Sequence, residues 1–303
     1  GEGDVIIAAR RLSLWYGQVI GINDITLDIG SGVLGLLGPN GAGKSTFMKV
    51  LTGQLRASTG NVAVFGELIW NNPNVMSRIG FVPEQDAFYE DMTGLEFVTY
   101  LTQLQGYSRA DSLKMADDAI EEVSLTEQKD RRIREYSKGM RQRIKIAQAL
   151  AHKPEVLFLD EPLAGTDPVG RRHIIDLIRR IGDEGRTVIV SSHILHEVEQ
   201  MTNTIVLINK GRVVADGNIY RIREMIDEHP HSIFVDCDDP RRFAGLLTTY
   251  DDVVSITFAD GGIHVATSAP DSCYSRIPKL ALDEGIAIRR ITSPDNNLMS
   301  VFK

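Results

Sequence analysis

Gly38-Pro39-Asn40-Gly41-Ala42-Gly43-Lys44-Ser45-Thr46 matches the pattern G-x-x-x-x-G-K-[ST] in full. An apolar run at 33–37 leads into it and reads as a strand; 44–52 leads out of it and reads as a helix. The spacing has a physical reason. Glycines let successive backbone N–H groups turn inward and form a nest for an anion. The helix start adds roughly half a positive charge aimed at the same point. In such a loop Lys44 would bridge the β- and γ-phosphates of a nucleoside triphosphate, and Ser45 would offer its hydroxyl to Mg²⁺. Gly38, Asn40, Gly41, Gly43 and Thr46 complete the expected cradle.

A second stretch supports the first. Val156-Leu157-Phe158-Leu159-Asp160-Glu161 is an apolar strand ending in two carboxylates. Alone it would read as a strand with an acidic turn. Beside a phosphate loop, Asp160 stands where a magnesium ion is held through its water shell. Glu161 then faces the γ-phosphate and is placed to orient and deprotonate water, a role worth about 10²–10⁴-fold in rate.

Outward from these motifs, short apolar runs at 79–82, 187–190 and 204–208 read as further strands of a mostly parallel, buried sheet. Helical patterns fill the intervals at 94–105, 110–123, 138–152, 169–184 and 195–201. In 138–152, Met140, Ile144, Ala147 and Ala151 share one face; Arg141, Lys145, Gln148 and His152 share the other. Strand–helix alternation predicts an α/β fold with helices on both faces of the sheet. The polar, Pro-containing segment 227–231 reads as a linker. Beyond it, strands at 232–235, 253–258, 263–266 and 286–291 and helices at 240–248 and 271–284 give the order βαββαβ, a ferredoxin-like arrangement.

Composition narrows the function classes. The 303 residues allow one large domain or two, at roughly 150 residues per domain. A hydrophobic share of 43% excludes a disordered chain. Lys plus Arg, 33, against Asp plus Glu, 41, leaves a net charge of −8 and no bulk attraction for nucleic acid. No window approaches the roughly 18 consecutive apolar residues of a spanning helix. Cys237 and Cys273 form neither a metal spacing nor a disulfide framework, and read as buried or half-buried thiols of a reducing compartment. The start Gly1-Glu2-Gly3 reads as a processed or engineered end, with no signal peptide.

Five more stretches carry a family resemblance. Tyr136-Ser137-Lys138-Gly139-Met140-Arg141-Gln142-Arg143 resembles the signature motif of ATP-binding cassette (ABC) ATPases. Gln85 resembles the family's Q-loop glutamine, and Leu163-Ala164-Gly165-Thr166-Asp167-Pro168 its D-loop. His193, after strand 187–190, is similar to the switch histidine. Tyr16, before Gly17, is similar to the aromatic that stacks on adenine, with Trp15 as its rival. The resemblance implies a P-loop NTPase of the ABC ATPase fold over 4–228: a mixed sheet core, an antiparallel β subdomain and a helical subdomain at about 86–150. Residues 229–303 would form a C-terminal accessory α+β domain. The form of the signature, Met92-Thr93-Gly94 and the ending Ser293-Pro294-Asp295-Asn296-Asn297-Leu298-Met299-Ser300-Val301-Phe302 resemble the bacterial class-2 export branch. Lys138 and Met140 stand where Gly and Gln are commonest, and Thr166 where Leu is usual.

The resemblance implies an ATPase with Mg²⁺, working as a head-to-tail homodimer with ATP between the chains. Ser137 and Gly139 of one copy would face the phosphate loop of the other. His193 would contact the γ-phosphate and hold the attacking water with Glu161, and Gln85 would join Ser45 and Asp160 around the metal. The other six histidines receive no role. Segment 86–92, with Phe88 and Tyr89, is the expected docking surface for a separate membrane permease; a surface loop with packed aromatics is the competing reading. This places the chain at the cytoplasmic face of a membrane as an exporter subunit. Against that stand a cytosolic cassette acting on protein or nucleic acid, and a non-hydrolysing module that the intact Glu161 and His193 disfavour. The C-terminal segment would regulate the cassette, extend the dimer, touch the partner or simply stabilise the chain.

Overall fold

The computed structural model describes residues 4–220, 222, 231–259 and 261–292. The chain divides between Asn218 and Ile219 into two compact units. That division falls ahead of the boundary expected at 228. Residues 227–230 of the expected linker lie outside the described residues, as does the Pro-to-Phe ending, while His231 opens a strand.

In the first unit the order is β1 (Ile7–Tyr16), β2 (Val19–Ile29), β3 (Gly32–Leu37), α1 (Lys44–Leu51), β4 (Thr59–Val64) and β5 (Glu67–Leu68). There follow α2 (Pro73–Met76), β6 (Ile79–Val82), α3 (Gly94–Leu104), α4 (Arg109–Glu122) and α5 (Lys138–Leu150). The unit ends with β7 (Val156–Leu159), α6 (Pro168–Asp183), β8 (Thr187–Ser192), α7 (Leu195–Glu199), β9 (Thr204–Asn209) and β10 (Arg212–Asn218). The apolar runs 79–82 and 156–159 are strands to the residue. The core sheet has the order β10-β9-β3-β8-β7-β6. It is parallel except where β10 pairs antiparallel with β9, so it is mixed. A second, antiparallel sheet has the order β2-β1-β4-β5. Its strands are half-buried and alternate, a weaker sequence signal than the continuous apolar runs of the parallel core.

Local chemistry sets the helix ends. Thr93 and Glu96 form a reciprocal capping box on α3, and the hydroxyl of Ser108 caps α4. Ser137 caps α5 by accepting the Met140 N–H at 3.2 Å. Asp167 caps α6 through the Val169 and Gly170 N–H groups, ahead of Pro168 at the first helical position. The three helices α3, α4 and α5 lie within 86–150 and share one hydrophobic core with α6 and one face of the sheet. The other core joins α1 to the antiparallel sheet. Among the described residues no helix is long and apolar enough to cross a membrane.

The polar face of α5 is largely withdrawn from solvent: Lys145 is 4% exposed, and Arg141, Gln148 and His152 are half-buried. They lie against β6, the edge strand of the core sheet, and the segment after it, as detailed below.

The second unit contains β11 (His231–Cys237), α8 (Pro240–Leu247), β12 (Val253–Ala259), β13 (Gly262–Thr267), α9 (Pro270–Glu284) and β14 (Ile288–Thr292). The sheet order is β12-β13-β11-β14 with every pairing antiparallel, the order of a βαββαβ fold. Cys237 and Cys273 are free and buried in its core, and burial raises both thiols above their usual pKa.

Gly80 on β6 is packed so closely that a Cβ there would come within 2.5 Å of the Ala149 carbonyl oxygen on α5. Gly80→Ala is expected to destabilise the first unit by about 1–3 kcal/mol. Urea denaturation checks this; an unchanged midpoint would mean that α5 and β6 are not held at this spacing.

Candidate active site

The C-terminal ends of neighbouring parallel strands deliver the expected motifs to one edge of the sheet, the place where open α/β sheets bind ligands. β3 runs into the phosphate loop and α1. β8 runs into His193, β7 into Asp160 and Glu161, and β6 into the segment carrying Gln85.

The loop folds back on itself around Lys44. Its ammonium donates to the Gly38 carbonyl at 2.7 Å and the Pro39 carbonyl at 3.2 Å. Gly43 sits at φ 105°, a left-handed conformation open to glycine, and starts α1. The first N–H groups of α1 lack intrahelical acceptors and supply the expected anion nest. A cleft of about 690 Å³ opens over this loop. Asn40, Gly41, Gly43, Lys44, Ser45, Thr46 and Glu161 line it. Gly38 lies beneath, its N–H donating to the Ser192 carbonyl at 3.2 Å.

Glu161 is the meeting point. Its side chain is 8% exposed and its backbone takes φ 48°, strained for a residue with a Cβ. Oε1 lies 3.3 Å from Lys44 Nζ as an ion pair, though no aligned hydrogen bond reaches it. Oε2 is 3.0 Å from His193 Nδ1. Ser191 holds the corner: its hydroxyl accepts the Glu161 N–H at 2.8 Å and donates to Asp160 Oδ1 at 2.6 Å. Asp160 itself is 3% exposed.

Three expected residues stand apart. Gln85 is exposed and does not line the cleft; its neighbour Glu84 does. Ser137 is also exposed, at the head of α5 and outside the cleft lining. Gly139 is buried, its Cβ position 3.2 Å from Gly170 Cα, so glycine here permits the close approach of α5 and α6. Tyr16 stands beside the cleft, its hydroxyl 3.4 Å from Thr46 Oγ1 and its ring against Gly21. Trp15 is exposed, and its backbone N–H donates to Ser58 Oγ at 3.1 Å; as the neighbour of Tyr16 on β1 its side chain points to the opposite face of the sheet.

The sequence reading missed Ser191, and also Lys210 and Gly211, which line the cleft from the turn between β9 and β10. A serine ending a strand and a turn distant in sequence carry no local signal. In the D-loop, Thr166 is buried and donates to the Leu163 carbonyl at 2.7 Å. The Gly170 and Val169 N–H groups hold the Asp167 carboxyl below the usual carboxylate range. In segment 86–92, the Phe88 ring lies 5.4 Å from that of Phe97, and Tyr89 is exposed with its edge to Tyr100.

Residues 22–164 match the sequence profile of the ABC transporter family. The bacitracin transport ATP-binding protein BcrA of Enterococcus faecalis is 32% identical over 99% of this chain and 96% of its own. An uncharacterised ABC transporter ATP-binding protein of Synechocystis sp. is 35% identical over 70% of this chain, and the match spans 61% of its own length. The linearmycin resistance ATP-binding protein LnrL of Bacillus subtilis is 36% identical over 70% and 69% of the two chains. Among solved structures, cbiO1 of Clostridium perfringens superposes with a TM-score of 0.65 at 26% identity, covering 74% of this chain and 94% of that one. The chain belongs to the ABC transporter family, as one of its ATP-binding proteins.

Ser191→Ala would leave the Glu161 N–H and the Asp160 carboxylate without their shared partner, a loss of about 1–3 kcal/mol for a buried group. ATP hydrolysis is expected to fall more than ATP affinity, measured by turnover and by equilibrium binding. A loss confined to affinity would contradict the role given to Ser191.

Proposed function

We propose that the chain is the ATP-hydrolysing subunit of an exporter, working at the cytoplasmic face of a membrane as a head-to-tail homodimer. The observation that carries this reading is the convergence of Lys44 and His193 on the buried carboxylate of Glu161, beside the phosphate loop.

ATP phosphates take the loop N–H groups and the Lys44 ammonium. Phosphate oxygens compete with Glu161 for that ammonium, which frees Oε1 while Oε2 stays with His193. Glu161 then accepts a proton from the attacking water, and His193 orients it against the γ-phosphate. The hydroxyl of Ser45 and the carboxylate of Asp160 are hard oxygen donors. Such a set would suit Mg²⁺, which keeps much of its water, and Gln85 would join it from its loop. Mg²⁺, when bound, supplies positive charge to the phosphates. Tyr16, beside Thr46, offers its ring face to adenine.

Ser137 lies outside the cleft of its own chain, and this supports sharing between two copies. Ser137 and the N-terminus of α5 then meet the γ-phosphate in the partner's cleft. Gly139 serves this by letting α5 settle on α6. ATP so becomes part of the contact surface. Segment 86–92, with Tyr89 exposed, is the docking surface for a separate permease. The transport and resistance names of the relatives favour export over a cytosolic cassette acting on protein or nucleic acid.

Glu161→Gln tests the reading. ATP binding should persist, turnover should fall about 10²–10⁴-fold, and an ATP-bound dimer should accumulate on size exclusion. Undiminished turnover would remove Glu161 as the base.

A further inference from the structure

The polar stripe of α5 is spent on one continuous stretch of chain. Arg141, Lys145, Gln148 and His152 recur at helical spacing and form one line along the helix and its end. His152 Nε2 lies 3.0 Å from the Ile79 carbonyl, and Gln148 Nε2 donates to the Phe81 carbonyl at 3.3 Å. Lys145 Nζ donates to the Pro83 and Glu84 carbonyls at 3.0 and 3.1 Å and meets Asp86 Oδ1 at 2.9 Å. Arg141 clasps both carboxylate oxygens of Glu90 at 2.7 and 2.8 Å.

Strand geometry explains the spacing. Ile79, Phe81 and Pro83 are alternate residues, so their carbonyls point the same way. The Val82 carbonyl points the other way, into the sheet, and accepts the Asp160 N–H at 2.9 Å. β6 is an edge strand, and the outward carbonyls have no neighbouring strand to serve them. The helix stripe replaces that strand. An ammonium has three N–H bonds and no acceptor; Lys145 gives two of them to the carbonyls and meets the Asp86 carboxylate as an ion pair. A charge only 4% exposed is costly to bury unless paired in this way.

Of the four rungs, Lys145 has a special place. Its partners Glu84 and Asp86 are the residues on either side of Gln85. We propose that Lys145 is the positioning residue for Gln85, fixing its loop to the helix that begins at Ser137. The claim rests on the reading of Gln85 given above. Its consequence is structural: the residues flanking Gln85, and Glu90 in the same segment, are held to one helix, through Lys145 and Arg141. Lys145 acts through Gln85 and touches no substrate.

The test is a double-mutant cycle on the full chain. Lys145→Met, Gln85→Ala and the pair are compared for kcat, ATP affinity and the Mg²⁺ concentration giving half-maximal rate. Lys145→Met is expected to lower kcat about 10- to 100-fold, the usual cost of losing a supporting contact behind a metal site. ATP affinity should stay unchanged, the Mg²⁺ requirement should rise, and no further loss should appear when Gln85 is already Ala. Losses that multiply in the pair, or a fall in ATP affinity matching the fall in kcat, would overturn the proposal. Impairment in Gln85→Ala with normal Lys145→Met would overturn it while sparing the role of Gln85. A normal Gln85→Ala would overturn that role and the proposal together. If Lys145→Met does not fold, Asp86→Asn removes the half-exposed partner alone and is expected to give the same non-additive pattern at smaller size; an additive one would contradict it.

Discussion

A carboxylate that is almost wholly out of water must have partners, and the candidate site is organised around one. Glu161 is buried between the Lys44 ammonium and the His193 ring, with its backbone strained and held by Ser191. An unpaired charge at this depth would be expensive. Each partner therefore comes from a different strand end, and each must be in register. The parallel order β3-β8-β7 meets this need, because it brings the loop after β3, the histidine after β8 and the acidic pair after β7 to adjacent positions. The same arrangement makes the pair responsive. A phosphate that takes Lys44 changes the surroundings of Glu161 without any large movement.

The helix starting at Ser137 plays the complementary part. One side of α5 approaches α6 at Gly139 and Gly170, where the two glycines bring the backbones together. Another side closes the open edge of the sheet with side chains in place of a strand. Burial, the larger influence, lowers the His152 pKa, and its Nδ1 has no partner, as fits a neutral ring donating from Nε2. The signature motif is thereby tied to α6 on one side and to the edge of the core sheet on another, and the Asp86 and Glu90 side chains that meet it are half-exposed.

Much of this was legible in the sequence. The phosphate loop, the acidic strand end and the strands at 79–82 and 156–159 are signals carried by neighbouring residues, and the structure agrees with them closely. The order βαββαβ of the second unit was legible for the same reason. What stayed hidden depends on partners distant along the chain. The partners of Arg141, Lys145, Gln148 and His152 are one example, because periodicity reports polarity and not what the polar groups bind. Ser191 is silent until β7 lies beside β8. Trp15 is a rival to Tyr16 on paper; in the strand neighbouring side chains point to opposite faces, and it is Tyr16 that reaches Thr46 beside the cleft.

The central claim is that each ATP site is built from two copies of the chain. Mixing Lys44→Ala with Ser137→Ala measures it directly, since each variant alone lacks one half of every site. If sites are shared, mixed dimers contain one site with both halves intact, and ATPase activity returns on mixing two inactive proteins. Activity that stays absent while mixed dimers are shown to form would contradict the account.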